Sequence, residues 1–201
     1  MIATKTPQTV MIRASEFFGS VELSCIDPAD PYLRAYPSLL RFLSSKPVLT
    51  GDDFICAAHM AYGWMPKILS LGDANPDDLA SVISRARSTG KLSDEELSAL
   101  RAATNNRLVG ASKLLHFAAP NSFAIWDSWT HLFVFKKKPQ GDQMKDIGRY
   151  RTYMETLREL ERSPDFPEFH AAINRRIGYD VSGLRALELV MFQLARTGAS
   201  L

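Results

Sequence analysis

Leu108-Val-Gly-Ala-Ser-Lys-Leu-Leu-His-Phe-Ala-Ala-Pro-Asn-Ser-Phe-Ala-Ile-Trp-Asp-Ser-Trp-Thr-His-Leu-Phe133 reads as two helices separated by a turn and a short apolar pass. Gly110 opens the first helix, which carries Lys113, and Pro120-Asn-Ser supplies the turn. Asp127 stands where an N-cap of the second helix belongs, just ahead of Ser128-Trp-Thr. Apolar residues recur at helical spacing on both sides, and that period sets the class expected for the rest of the chain.

Working upstream, Ser93-Asp-Glu-Glu is a capping box for a helix running to about Thr104. Asn105-Asn106 then forms a tight turn, because asparagine tolerates left-handed backbone. Asn75-Pro76 opens a helix that Gly90 ends, and Thr50 with Asp53 caps a largely apolar helix from Asp52. Gly63 and Pro66 are expected to break it, with Trp64-Met65 starting a short segment through Leu71. Pro31 suits the first turn of a helix through Tyr32, Leu33, Tyr36, Leu39, Leu40 and Leu43, which Pro37 is expected to end or kink.

Downstream, the loop Lys136-Lys-Lys-Pro-Gln-Gly precedes an amphipathic helix from about Asp146 to Arg162. A further helix ends at Gly178, and the last runs from Ser182 to Arg196, burying Leu184, Leu187, Leu189, Val190, Phe192 and Leu194. The prediction is therefore an all-α fold of about eight helices, in one compact unit or two small lobes, with a helix-hairpin-helix-like element near residues 93–118. Residues 29–201 form the single all-α domain; residues 1–28 are an N-terminal segment of uncertain structure. There, Val10-Met-Ile-Arg and Phe17-Phe-Gly-Ser-Val-Glu-Leu could be short strands or irregular wrapping.

Composition narrows the class further. With 201 residues, 46% hydrophobic and 23% charged, the chain can build one sizeable core, which excludes disordered and coiled-coil readings. No apolar run approaches the roughly 20 residues of a membrane span, so no membrane role is expected. With no apolar leader, and only Cys25 and Cys56, the expected location is cytoplasmic. Net charge is +2, but between Arg101 and Arg151 stand 9 basic residues against 3 acidic ones. Such a surface can meet phosphates, or simply be a solvated helical face.

The same central stretch carries the candidate chemistry. A lysine at a helix start, beside the positive end of the helix dipole, loses its proton more readily and becomes a better nucleophile. The carboxylate of Asp127 could face Lys113 across the fold; equally, the two fit a solvated lysine and an ordinary N-cap. Backbone N–H groups near Gly110, with Ser112 and Asn106, could hold an anion such as a DNA phosphate. Cys56 and His59 share a helical face, but no second pair at ligand spacing completes a metal site, and no motif implies a cofactor.

Gly110-Ala-Ser-Lys113 followed by Phe123-Ala-Ile-Trp-Asp127 resembles the helix-hairpin-helix DNA glycosylase superfamily, to which 8-oxoguanine DNA glycosylase belongs. The resemblance spans Asn105 to Phe135. It implies a protein that contacts double-stranded DNA and excises damaged bases, with Lys113 as Schiff-base nucleophile and Asp127 as assisting carboxylate. It also implies Gly110, Ser112 and Asn106 at a phosphate-binding hairpin. Lys136, Lys137 and Lys138, with Arg149 and Arg151, would make further phosphate contacts, and one of Trp126, Trp129, Trp64, Tyr62 or His116 would stack on an extruded base. The chain departs from the family at the hairpin, where Asn105-Asn-Arg-Leu-Val-Gly110 replaces Leu-Pro-Gly-Val-Gly, and it has no four-cysteine cluster. The alternative is a non-catalytic DNA-binding or protein-interaction and regulatory protein on the same scaffold.

Overall fold

In the computed structural model, which describes residues 12–64 and 67–198, the secondary structure is helical, apart from one isolated bridge between Leu71 and Thr104. The described residues hold ten α-helices: α1 (Ala14–Gly19), α2 (Pro31–Ser44), α3 (Gly51–Gly63), α4 (Pro76–Thr89), α5 (Asp94–Ala103), α6 (Leu108–Ala118), α7 (Ser128–Phe135), α8 (Ile147–Glu161), α9 (Phe166–Ile177) and α10 (Gly183–Thr197). Short 3-10 turns occupy Leu23–Cys25 and Gly141–Lys145.

Most boundaries follow the local signals. Thr50 and Ser93 each close a capping box, and Asn75 and Asp146 cap through their side chains. Gly90 and Gly178 end helices in the left-handed region, at φ 67° and 84°. Asn105 and Asn106 are left-handed at φ 55° and 51°, reversing the chain between α5 and α6.

The expectation of about eight helices is corrected to ten. Part of the difference lies at the N-terminus, where Ala14–Gly19 is helical rather than strand-like or irregular. Phe17 and Ile26 are fully buried in the common core, so this segment is part of the packing. Val10 and Met11 lie outside the described residues, as do Met65 and Pro66.

The expectation that α2 ends at Pro37 is also corrected, since the helix runs through it to Ser44. Proline has no N–H for the carbonyl four residues back, which is that of Leu33. The Tyr179 hydroxyl donates to that carbonyl at 2.7 Å, so the vacancy in the helix ladder is filled from outside.

One core cluster runs from Phe17 to Leu194, which favours a single unit over two lobes. Helix α6 packs against α2, α3, α4 and α5; α10 packs against α7, α8 and α9. The two groups are joined by the buried pass Phe123–Trp126, whose backbone forms no sheet. Its polar groups are met by side chains instead. His116 Nδ1 pairs with the Phe123 carbonyl at 2.8 Å, and Tyr150 donates to that of Ala124 at 3.1 Å. Tyr153 donates to the Ile125 carbonyl at 2.8 Å, and the Trp126 N–H donates to Ser112 Oγ at 3.0 Å. Each bond spares a buried backbone group a desolvation cost of about 1–3 kcal/mol, so the pass is held rigidly and delivers Asp127 to a fixed place.

Candidate functional site

Residues of α6 and α10, with others, line a cleft of about 750 Å³. Lys113 and Asp127 both line it. Lys113 is the sixth residue of α6 and thus sits in its second turn, not its first, so the helix dipole does less than expected. Burial pushes its amine down from 10.5 to about 8, while the charges of Asp127 and Glu188 pull it back up and Arg185 pushes it further down. Its Nζ lies 5.0 Å from the centre of the Trp64 ring. Among the described residues it forms no ion pair.

Asp127 caps α7 through one oxygen. Its Oδ1 accepts from the N–H groups of Trp129 at 2.8 Å and Thr130 at 2.9 Å, and Thr130 Oγ1 accepts in return from Asp127 N–H at 2.9 Å. Oδ2 carries no hydrogen bond among the described residues.

Gly110 also lines the cleft, but its open face is taken by the Tyr62 ring, into which a Cβ would run. Tyr62 is fixed there by donating to the Thr104 carbonyl at 2.8 Å. Ser112 is buried behind Lys113 and occupied with Trp126 N–H. Asn106 is exposed on the α5–α6 turn and lines a separate shallow depression with Arg101, Lys145 and Arg149. Lys136, Lys137 and Lys138 lie on the exposed loop after α7, outside the cleft lining. Of the basic residues from Arg101 to Arg151, only Arg107 and Lys113 line the cleft; Lys67 and Arg196 add two more cations.

The aromatic candidates divide in the same way. Trp126 and His116 are fully buried, and Tyr62 nearly so. Trp64 and Trp129 are partly exposed and line the cleft. Trp64 is fixed by its indole N–H, which donates to the Tyr32 carbonyl at 3.2 Å, and by edge contacts with Tyr32 and Phe117. Burial lowers His116 to about 3, so its ring is neutral. With Nδ1 donating to the Phe123 carbonyl, Nε2 accepts from the Tyr36 hydroxyl at 2.7 Å. His131 turns its ring Nδ1 to the Lys137 carbonyl at 3.0 Å, and its bond to Asp127 is from backbone N–H to backbone carbonyl at 3.0 Å, with no side-chain hydrogen bond between them. Cys56 and His59 are exposed, and no cluster of three or more His, Cys, Asp or Glu gathers among the described residues.

The wall formed by α10 was not anticipated. Arg185, Glu188, Leu189, Phe192, Gln193 and Arg196 form one helical stripe along the cleft. Phe192, expected in the core, is partly exposed there. Arg185 and Glu188 are 4% and 2% exposed and form an ion pair one turn apart. Burial pushes the Glu188 carboxyl up to about 7 against the pull of Arg185. The signal was present in Leu184-Arg-Ala-Leu-Glu-Leu-Val-Met: two opposite charges at i, i+3 inside an otherwise apolar run belong together and inside.

No protein-family model, curated protein or solved structure matches this chain, so its function has to be argued from the site. No described helix is long and apolar enough to cross a membrane.

Proposed function

We propose that the protein acts on DNA as a glycosylase-like enzyme whose Lys113 forms a covalent imine with a deoxyribose carbon. The observation that carries this reading is the half-buried Lys113, unpaired and eased towards its neutral form, in the same cleft as the Asp127 carboxylate. An amine nucleophile needs its lone pair near neutral pH, and desolvation provides it. The positive charge developing on the sugar is the kind of charge that a fixed carboxylate stabilises. Trp64 and Trp129 in the cleft lining would in this reading stack on an extruded base, and the cations Arg107, Lys67 and Arg196 there would meet phosphates. The α5–α6 pair, with its two left-handed asparagines, serves in this reading as the helix-hairpin-helix element.

The test is borohydride trapping on duplexes carrying an abasic site or 8-oxoguanine. A covalent adduct that Lys113→Gln abolishes is the expected result. Retention of DNA that weakens with salt, without any adduct, would replace this reading with a non-catalytic DNA-binding protein. Neither adduct nor retention would remove DNA altogether and turn attention to protein partners.

A further inference from the structure

Glu188 is the one buried carboxylate on the cleft wall, and the reading above gives it no task. Its Oε2 is held by Arg185 Nη1. Its Oε1 has no hydrogen-bond partner among the described residues, and the residue lines the cleft. Arg185 and Lys113 approach the same Trp64 ring, at 5.6 Å and 5.0 Å from its centre, which puts the ion pair and the amine around one indole. Arg185 is itself steadied by lying 5.0 Å over the Tyr36 ring. Among the described residues no direct ion pair joins Lys113 to Glu188, so a proton passing between them has to travel through a water or a substrate hydroxyl.

We infer that Glu188, anchored by Arg185, is a positioning residue that shares one exchangeable proton with Lys113. This rests on Lys113 being the reactive amine of the cleft. Glu188 takes a proton from the Lys113 ammonium through the bridging hydroxyl. The freed lone pair then attacks an aldehyde carbon, the carbonyl π pair moves to oxygen, and that oxygen takes the proton that the newly cationic nitrogen gives up. The resulting carbinolamine loses its hydroxyl as water, using the proton that Glu188 returns, and leaves the iminium.

The other groups facing this pair are Asp127 on the cap of α7, Tyr36 on α2, Tyr153 on α8 and Arg185 on α10. The three tyrosine and arginine elements hold their protons at neutral pH: burial raises both tyrosines, and Arg185 is raised above its ordinary value by Glu188 against the opposing effect of burial. Asp127 and Glu188 are the carboxylates that the amine senses.

The test uses the full chain and no DNA, so its failure is separate from that of the imine reading. Lys113 is reductively methylated with formaldehyde and cyanoborohydride from about pH 6 to about pH 10, and its peptide is quantified by mass spectrometry. In Glu188→Gln, which keeps an acceptor for Arg185, the labelling midpoint falls because the charge favouring the ammonium is gone, and the plateau rate above that midpoint falls severalfold because dehydration loses its proton donor. An unchanged midpoint in a folded Glu188→Gln protein overturns the inference. If that variant does not fold, the reciprocal measurement decides. Infrared titration of the protonated carboxyl band must move to higher pH in Lys113→Met than in wild type, because linked sites shift each other. A band that stays in place overturns the inference equally.

Discussion

Ser112 and Trp126 are joined by a 3.0 Å hydrogen bond from the Trp126 N–H to the Ser112 hydroxyl, deep in the core. Ser112 precedes Lys113 in α6, and Trp126 precedes Asp127 at the start of α7. The bond therefore clamps together the backbones that carry Lys113 and Asp127, each one residue away. Ser112 Oγ also donates to the Val109 carbonyl at 3.1 Å, so one hydroxyl serves both sides.

Ser112→Ala leaves the Trp126 N–H buried without a partner. A loss of about 1–3 kcal/mol in stability is expected, read from urea unfolding. The variant should also lose trapping efficiency at temperatures where it remains folded, since Asp127 is no longer held in register. Wild-type stability would show that the clamp is dispensable.

Lys113→Met is expected to stabilise the fold. Below about pH 8 the native chain carries an ammonium that its site disfavours, whereas the unfolded chain keeps that proton up to its ordinary 10.5. The native state thus binds fewer protons between those values, and stability rises with pH across the window. Allowing for partial exposure and the Trp64 contact, the gain at neutral pH is about 1 kcal/mol. It shrinks as pH climbs above about 8. A variant no more stable than wild type at neutral pH would contradict the desolvation of Lys113.

Asp127 separates charge from cap. Asparagine is as good an N-cap as aspartate, so Asp127→Asn should unfold at nearly the wild-type temperature. Its Lys113 labelling midpoint should fall, because the charge that favours the ammonium is gone. Asp127→Ala, which loses both functions, should cost about 1 kcal/mol in addition. Equal stabilities of the two variants would mean that the cap contributes nothing.

Tyr179→Phe tests the continuation of α2 through Pro37. It removes the donor to the Leu33 carbonyl and should cost about 1 kcal/mol. In a Pro37→Ala background the restored N–H can serve that carbonyl, and the same tyrosine substitution should cost distinctly less. Additive costs in the double variant would dissolve the link between the two residues.

How much of this was legible in the sequence depends on how local the cause is. Thr50 with Asp53, Ser93 with Glu96, and the glycines at 90 and 178 write their helix ends within a few residues. Pro37 misled because its compensation comes from Tyr179, far along the chain. Lys113 and Asp127 line one cleft, as one of the two readings of the sequence had it, although Lys113 stands in the second turn of α6 and not at its start. The fate of Gly110 was not legible, because the ring that covers it belongs to Tyr62 on α3. Arg185 and Glu188 were legible as a pair, though nothing local said that their helix walls a cleft.

Asn105 holds the opposite lip of that cleft. Its side chain accepts from Ser70 N–H at 2.6 Å and donates to the Ile68 carbonyl at 2.9 Å, tethering the chain before Leu71 to the α5–α6 turn. Ile68, 90% exposed, projects from the tethered strip at the mouth. Ile68 and Asn105 both line the cleft, so a molecule that fills it covers the tether as well, and slower amide exchange at Ser70, whose N–H the Asn105 side chain holds, is the expected sign of occupancy.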